Sequence, residues 1–454
     1  MSGKREVFRE KLNSAHVEER LEGIRELRQL VEKEEIRRKN SCGWVNMHAH
    51  TFFSYNGYGY SPARFAWEAY RRGLEAAGIV DFDCLDGTEE FLQAGRELGM
   101  KTTAGFETRV FVREYRDKVI NSPKEPGVFY LVGTGFVHPP EPDSDAGETL
   151  SQMQRRAEQR NRGMLRRLND HLTPLEVDYE ADILPLTAAG NATERHMAEA
   201  IEMKARDKFG EGDAASLIDF WSDKLDVEPG EIADIADDVV ALKGLIRSRL
   251  MKHGGVGYVQ PDGDSFPDLE EVVEMTRAEG AMPSGCWLDG TTDGERDPLE
   301  HFAFLRDKGC VSITIIPDRN WNVADEERAL KVTKLNEAIA AAKELDMPVL
   351  AGTEMNKYGS KLVDDFDSEA LAPHLPVFRR GAHIVWGHTL LTMTAGMGYV
   401  GRWAEQHFGA RRAEKNAFFR KIGEVKYPDA DAFDELCRLD GNCDPADVRK
   451  AISG

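Results

Sequence analysis

Short apolar stretches alternate with amphipathic ones along most of this chain, and that alternation constrains the fold more than any other feature. Residues 44–50, 77–81, 101–107 and 128–136 read as strands, and residues 62–72 and 88–98 as helices between them. Pro62 stands at the start of the first of these helices, a favoured N-terminal position. The repeat recurs every roughly 25–30 residues, the length of a strand–helix–strand unit, and predicts parallel strands joined by helical crossovers. The pattern breaks off into a long polar stretch, helical over 150–171, 193–209 and 213–252, then resumes. Helices are expected at 269–279, 297–308 and 325–345, and strands at 311–316, 349–353 and 383–387. Before the first strand, residues 8–37 carry Leu21, Ile24, Leu27, Leu30 and Val31 at helical spacing. The expected organisation is a helical extension over 1–40, a barrel-like first part over 41–192, a helical insertion over 193–255, a second barrel part over 256–400 and a helical tail over 401–454.

Composition removes several classes of function. The chain has 454 residues, 41% of them apolar, enough for a large core. No apolar run reaches the roughly 20 residues that span a bilayer. The first residues are too charged for a secretory leader, so a cytoplasmic chain without a membrane partner is expected. The six cysteines are scattered and form no CxxC pair, which argues against a disulfide framework and a thiolate zinc site. Eighty acidic residues against 59 basic ones give a net charge of −21, which disfavours general nucleic-acid binding. A local basic pocket can still hold a small phosphorylated molecule.

Chemistry concentrates at strand ends. In Asn46-Met47-His48-Ala49-His50-Thr51 the two histidines are two residues apart on an extended segment, so both rings leave the same face and form a two-toothed metal platform. The next strands finish on acids: Asp81 and Asp83, then Glu107, and much later Glu354. Sites in barrels and open parallel sheets lie at the carboxyl ends of the strands. Imidazole with carboxylate suits zinc, manganese or iron better than calcium. His388, placed by this reading after a strand, and Asp83 are candidates for proton transfer. Arg319 follows a strand and can clamp an anion bidentately.

The order of these motifs resembles the PHP (polymerase and histidinol phosphatase) superfamily. The shared features are His-x-His-Thr at 48–51, Ser61-Pro62 opening a helix, a strand ending in Asp81, and Gly105-Phe106-Glu107. Phe129–Phe136, Gly190–His196 and Ala351–Asn356 are similar to segments of its phosphoesterase branch with a helical insertion. The resemblance implies a distorted (β/α)7 barrel with a helical insertion and helical terminal extensions. It implies His48, His50, Glu107, His196 and Glu354 as metal ligands, with Asp81 or Asp83 beside them. The chain departs from the family where Phe82 and Tyr130 replace histidines, where Tyr55-Asn56 replaces an acid, at Cys286, and where Asn356 ends the late motif. One or two ions are therefore expected rather than the full set, with Phe82 and Tyr130 leaving gaps.

The resulting expectation is a metal-dependent phosphoesterase acting on a small phosphorylated substrate. The alternatives are a metal-dependent hydrolase or lyase for a non-phosphate substrate, and a non-catalytic metal- or ligand-binding protein.

Overall fold

In the computed structural model, which describes residues 10–210 and 214–453, seven strands form one sheet in chain order. They are β1 (Val45–Ala49), β2 (Ala76–Phe82), β3 (Lys101–Phe111), β4 (Val128–Phe136), β5 (Met282–Trp287), β6 (Ser312–Ile315) and β7 (Val349–Ala351). The sheet closes on itself just past β7. Thr353 N and Glu354 N donate to His48 O at 3.0 and 2.9 Å, and His50 N donates to Glu354 O at 2.7 Å. The result is the expected seven-stranded, distorted α/β barrel. Gly352 permits the closure, because a Cβ there would lie 2.2 Å from the His48 Cβ.

Three expectations are corrected. First, β4 runs antiparallel to both β3 and β5, pairing Val132 with Glu107. A parallel return needs a crossover, usually a helix. The segment between β3 and β4 offers only the short turn Arg113–Tyr115, so the chain folds back as a hairpin. Second, β5 was not expected. Its sequence, MPSGCW, carries Pro283 and Gly285, residues that read as breakers although the strand is largely buried. Third, 383–387 is not a strand but part of the helix Leu375–Ala395. The stretch His383–Leu391 is buried throughout. An element apolar on every side shows no periodicity to separate helix from strand.

That helix packs against β1, β3, β4 and β7 and closes the end of the barrel opposite the strands' carboxyl ends. The helix Val17–Glu32 is fastened to the barrel by the buried pair Arg20–Glu90, 2.5 Å apart. Residues 1–9 and Asp213, where two of the expected helices begin, lie outside the described residues. Between Leu165 and Met251 the helices share an apolar core of their own, including Leu168, Ile201, Trp221 and Ile246. Asn191 ties this region to the barrel mouth by donating to Phe53 O and Phe82 O at 3.2 and 2.6 Å. No helix among the described residues is long and apolar enough to cross a membrane.

Candidate metal centre

Extended geometry at the end of β1 sends the His48 and His50 side chains to one face, and β3 brings Glu107 opposite them. One candidate ligand atom from each of the three residues lies within 4.8 Å of the other two, and all three residues are buried. His50 Nε2 is 3.0 Å from Glu107 Oε2, and His48 Nε2 is 3.5 Å from the same oxygen.

The surrounding hydrogen bonds decide the state of His50. The Ser54 hydroxyl donates to Asp81 Oδ1 at 2.7 Å and also lies 3.1 Å from His50 Nδ1. With its one proton committed to Asp81, the hydroxyl can only accept from Nδ1. The proton of a neutral His50 therefore sits on Nδ1, and its Nε2 lone pair points at a carboxylate oxygen. That contact is repulsive unless a positive charge lies between the two atoms. Both ring nitrogens of His48 and Nε2 of His50 are buried without a hydrogen-bond partner. Burial disfavours a charged His50, but Glu107 outweighs it and raises the pKa. Burial likewise opposes the Glu107 carboxylate, while the two imidazoles hold it below the usual range. Two imidazoles, one carboxylate and orphaned lone pairs fit a divalent cation of the zinc, manganese or iron type. Three protein ligands with room for a further one is the arrangement of catalytic rather than structural zinc.

The other expected ligands are placed differently. Asp81 accepts from Thr51 N, Thr51 Oγ1 and Ser54 Oγ at 2.7, 2.6 and 2.7 Å, so its carboxylate anchors the loop after β1. Glu354 reaches the mouth with a left-handed backbone (φ 60°), but its carboxylate is engaged by Arg319 Nη2 at 2.5 Å and Asn356 Nδ2 at 2.7 Å. His196 caps its own helix: Nδ1 accepts from Thr193 N at 3.1 Å, with the Thr193 side chain completing the reciprocal pair. The Tyr55 ring lies edge-on to it, centroids 5.0 Å apart. Burial, aided by Lys243, lowers the His196 pKa to about 4. Phe82 leaves no gap, because its ring stacks on His50 at 4.6 Å.

Of the residues expected in proton transfer or anion binding, Asp83 and Arg319 line the cavity above the triad and His388 does not. Asp83 accepts from Thr108 Oγ1, and burial raises its carboxyl pKa. His388 is fully buried in the closing helix, bonded through Nε2 to Gly135 O and through Nδ1 to Tyr399 N at 3.1 and 2.9 Å. A histidine satisfied at both nitrogens, far from the mouth, is a packing element.

The cavity measures about 880 Å³ and is walled by the strand ends and the helical region. Nine arginines and lysines line it against six carboxylates, in a chain whose net charge is −21. Of these cations only Arg319 is singled out from sequence; Arg109 and Arg160 are among those it misses. Arg109 was within reach of the argument, since it stands two residues past Glu107 on the same strand and leaves the same face. Arg160 was not, because nothing distinguishes it from its neighbours in the arginine-rich helix Asp145–Leu172.

No protein-family model and no curated protein matches the chain. Among solved structures, the chain is similar to a provisionally assigned metal-dependent phosphoesterase from Bifidobacterium adolescentis (TM-score 0.45, 16% identity, 74% of this chain and 97% of that one covered). It is also similar to an amidohydrolase from Chromobacterium violaceum with bound sulfate and no metal (TM-score 0.46, 14% identity, 72% and 96% covered).

Proposed function

We propose that this protein is a metal-dependent hydrolase acting on a small phosphoester, with His48, His50 and Glu107 holding the cation. The observation that carries the reading is the contact of 3.0 Å between His50 Nε2 and the Glu107 carboxylate, beside a buried His48 with no hydrogen-bond partner. A divalent cation of the zinc, manganese or iron type would supply Lewis acidity for hydrolysis at that point. The chain's own residues supply the rest. Ser54 and Asp81 hold His50 in the tautomer that leaves Nε2 free. Arg319, whose side chain is 45% exposed, offers a guanidinium to the phosphoryl oxygens when it exchanges Glu354 for substrate. Asp83, which lines the cavity and has a raised pKa, would hold a proton for the leaving oxygen. The phosphoester itself is favoured by the resemblance to PHP phosphoesterases and by the excess of cations around the cavity.

The test is elemental analysis of the purified protein followed by turnover of an aryl phosphate with zinc, manganese or iron added back. One or two ions per chain with turnover is the expected result. Metal without turnover on any aryl phosphate would remove the phosphoester and leave the metal centre. A chain that takes up no divalent ion would remove both.

A further inference from the structure

We propose that Arg109 and Arg160 form a second anion-binding subsite, distinct from the His48–His50–Glu107 triad, that receives a non-reacting phosphate of the substrate. The part concerning substrate rests on the function proposed above; the subsite itself does not.

β3 continues four residues beyond Glu107, to Phe111. Alternation carries the Arg109 side chain out on the same face as Glu107, about 6–7 Å further along the strand. Arg160 arrives from the helix Asp145–Leu172. Both guanidinium carbons lie by the Phe266 ring, at 4.5 and 4.4 Å from its centroid. Two like charges are thus packed on one aromatic side chain in the cavity wall.

Among the described residues Arg160 has no direct counter-ion, whereas Glu125, Glu194 and Asp83 hold Arg109 charged against burial. Arg160 donates to Ser265 O at 2.7 Å and makes no ion pair within 4.0 Å among the described residues. Arg109 has Glu125 at 3.4 Å, and that carboxylate is shared with the Ser122 hydroxyl at 2.5 Å. Asp83 acts on both guanidiniums electrostatically without a direct bond. The buried Arg20, by contrast, is paired with Glu90 at 2.5 Å. Burial and the neighbouring Arg109 lower the Arg160 pKa to about 10, the direction expected for a cation without a direct counter-ion. A bound anion relieves this, and two planar guanidiniums suit a phosphate or carboxylate. The space agrees: about 880 Å³ exceeds what a single phosphate at the triad would fill.

The experiment is calorimetric titration of the full chain at physiological salt, first stripped of metal. Phenylphosphonate is expected to bind, R160M and R109M to weaken it about tenfold or more, and H48A/H50A to leave it within about twofold. E125Q should tighten it, a gain that misfolding cannot produce. Benzoate is expected to bind more weakly than phenylphosphonate, and the reverse order would overturn the assignment to phosphate in favour of carboxylate. Unchanged binding in R160M and R109M would overturn the subsite, and so would loss of binding in metal-free H48A/H50A. With metal restored, 1,3-propanediyl bisphosphonate should outbind phenylphosphonate about tenfold in the wild type, and R160M should erase the advantage. If no metal binds while the Arg160-dependent phosphonate site remains, the triad reading fails and the subsite stands.

Discussion

The two ends of this barrel each bring histidine to a glutamate, half-buried at the closed end and buried at the mouth, with opposite outcomes. At the closed end Glu75 meets His383 Nε2 at 2.6 Å, Arg379 Nη2 at 3.0 Å and Lys101 Nζ at 3.6 Å. At the mouth, among the described residues, Glu107 meets only the two imidazoles. The Glu75 cluster contains two permanent cations and is electrostatically complete; the Glu107 cluster contains none. A histidine–carboxylate contact therefore identifies a candidate metal site only when the charges around it do not already balance.

The largest expected effect lies at the mouth. H48A/H50A should weaken binding of zinc or manganese more than about 1000-fold, because two of three ligands go. The wild-type melting temperature should rise with added metal, and that of the variant should stay put. A variant that keeps one ion per chain through dialysis would end the distinction between the two clusters.

Next comes stability. E75Q strands His383 and Lys101 beside a neutral partner and should cost about 2–3 kcal/mol, short of the loss at a fully buried pair. E107Q in metal-free protein should cost little, since no permanent cation loses its partner. The pH dependence sharpens the contrast. The His383 bond, with burial opposing and Lys101 and Arg379 assisting, holds the Glu75 pKa at about 2 against an ordinary 4.5. A depressed carboxyl contributes its full stability above pH 4.5 and loses it as pH falls towards 2. Denaturant titrations should show the gap between wild type and E75Q closing over that window. A gap that persists at pH 2 would assign the effect to packing.

A smaller effect is expected at Ser54. S54A frees the His50 ring to choose its tautomer, and metal affinity should fall about tenfold while the fold is kept. Calorimetry with zinc or manganese reads this directly. Unchanged affinity would show that Asp81 and Ser54 serve the loop alone.

How much of this was legible in sequence follows from how local each feature is. The His48–His50 face follows from two-residue alternation, and with the acids Asp81, Glu107 and Glu354 late in or just past their strands it let the barrel mouth be placed from sequence. The β4 reversal could not, because it depends on a missing crossover rather than on residues present in β4. His383 reads as part of a strand, with His388 just after it, because Ile384, Val385 and Trp386 are residues that strands favour; burial on all sides hides the helical period. Asp81, Glu354 and His196 have the right chemistry at the right ends of their elements. What diverts them is the Thr51 and Ser54 hydroxyls, the Arg319 guanidinium and the Thr193 amide, partners that only the assembled fold brings into contact.

The smallest effect expected is at His196, and it divides a ligand from a cap. As the third residue of its helix, His196 returns Nδ1 to the Thr193 amide, the position where glutamine or glutamate ordinarily completes a capping box. H196Q supplies an acceptor of similar reach, so stability should change by less than about 1 kcal/mol. Metal affinity should move less than about twofold, against the 10- to 100-fold that loss of even an outer-shell partner commonly costs. H196A should lower stability by about 1 kcal/mol through the lost cap and still leave metal affinity alone. If H196Q instead loses metal while keeping its melting temperature, His196 belongs with His48, His50 and Glu107, and the mouth carries a fourth ligand that rotates in from the helical region when the ion arrives.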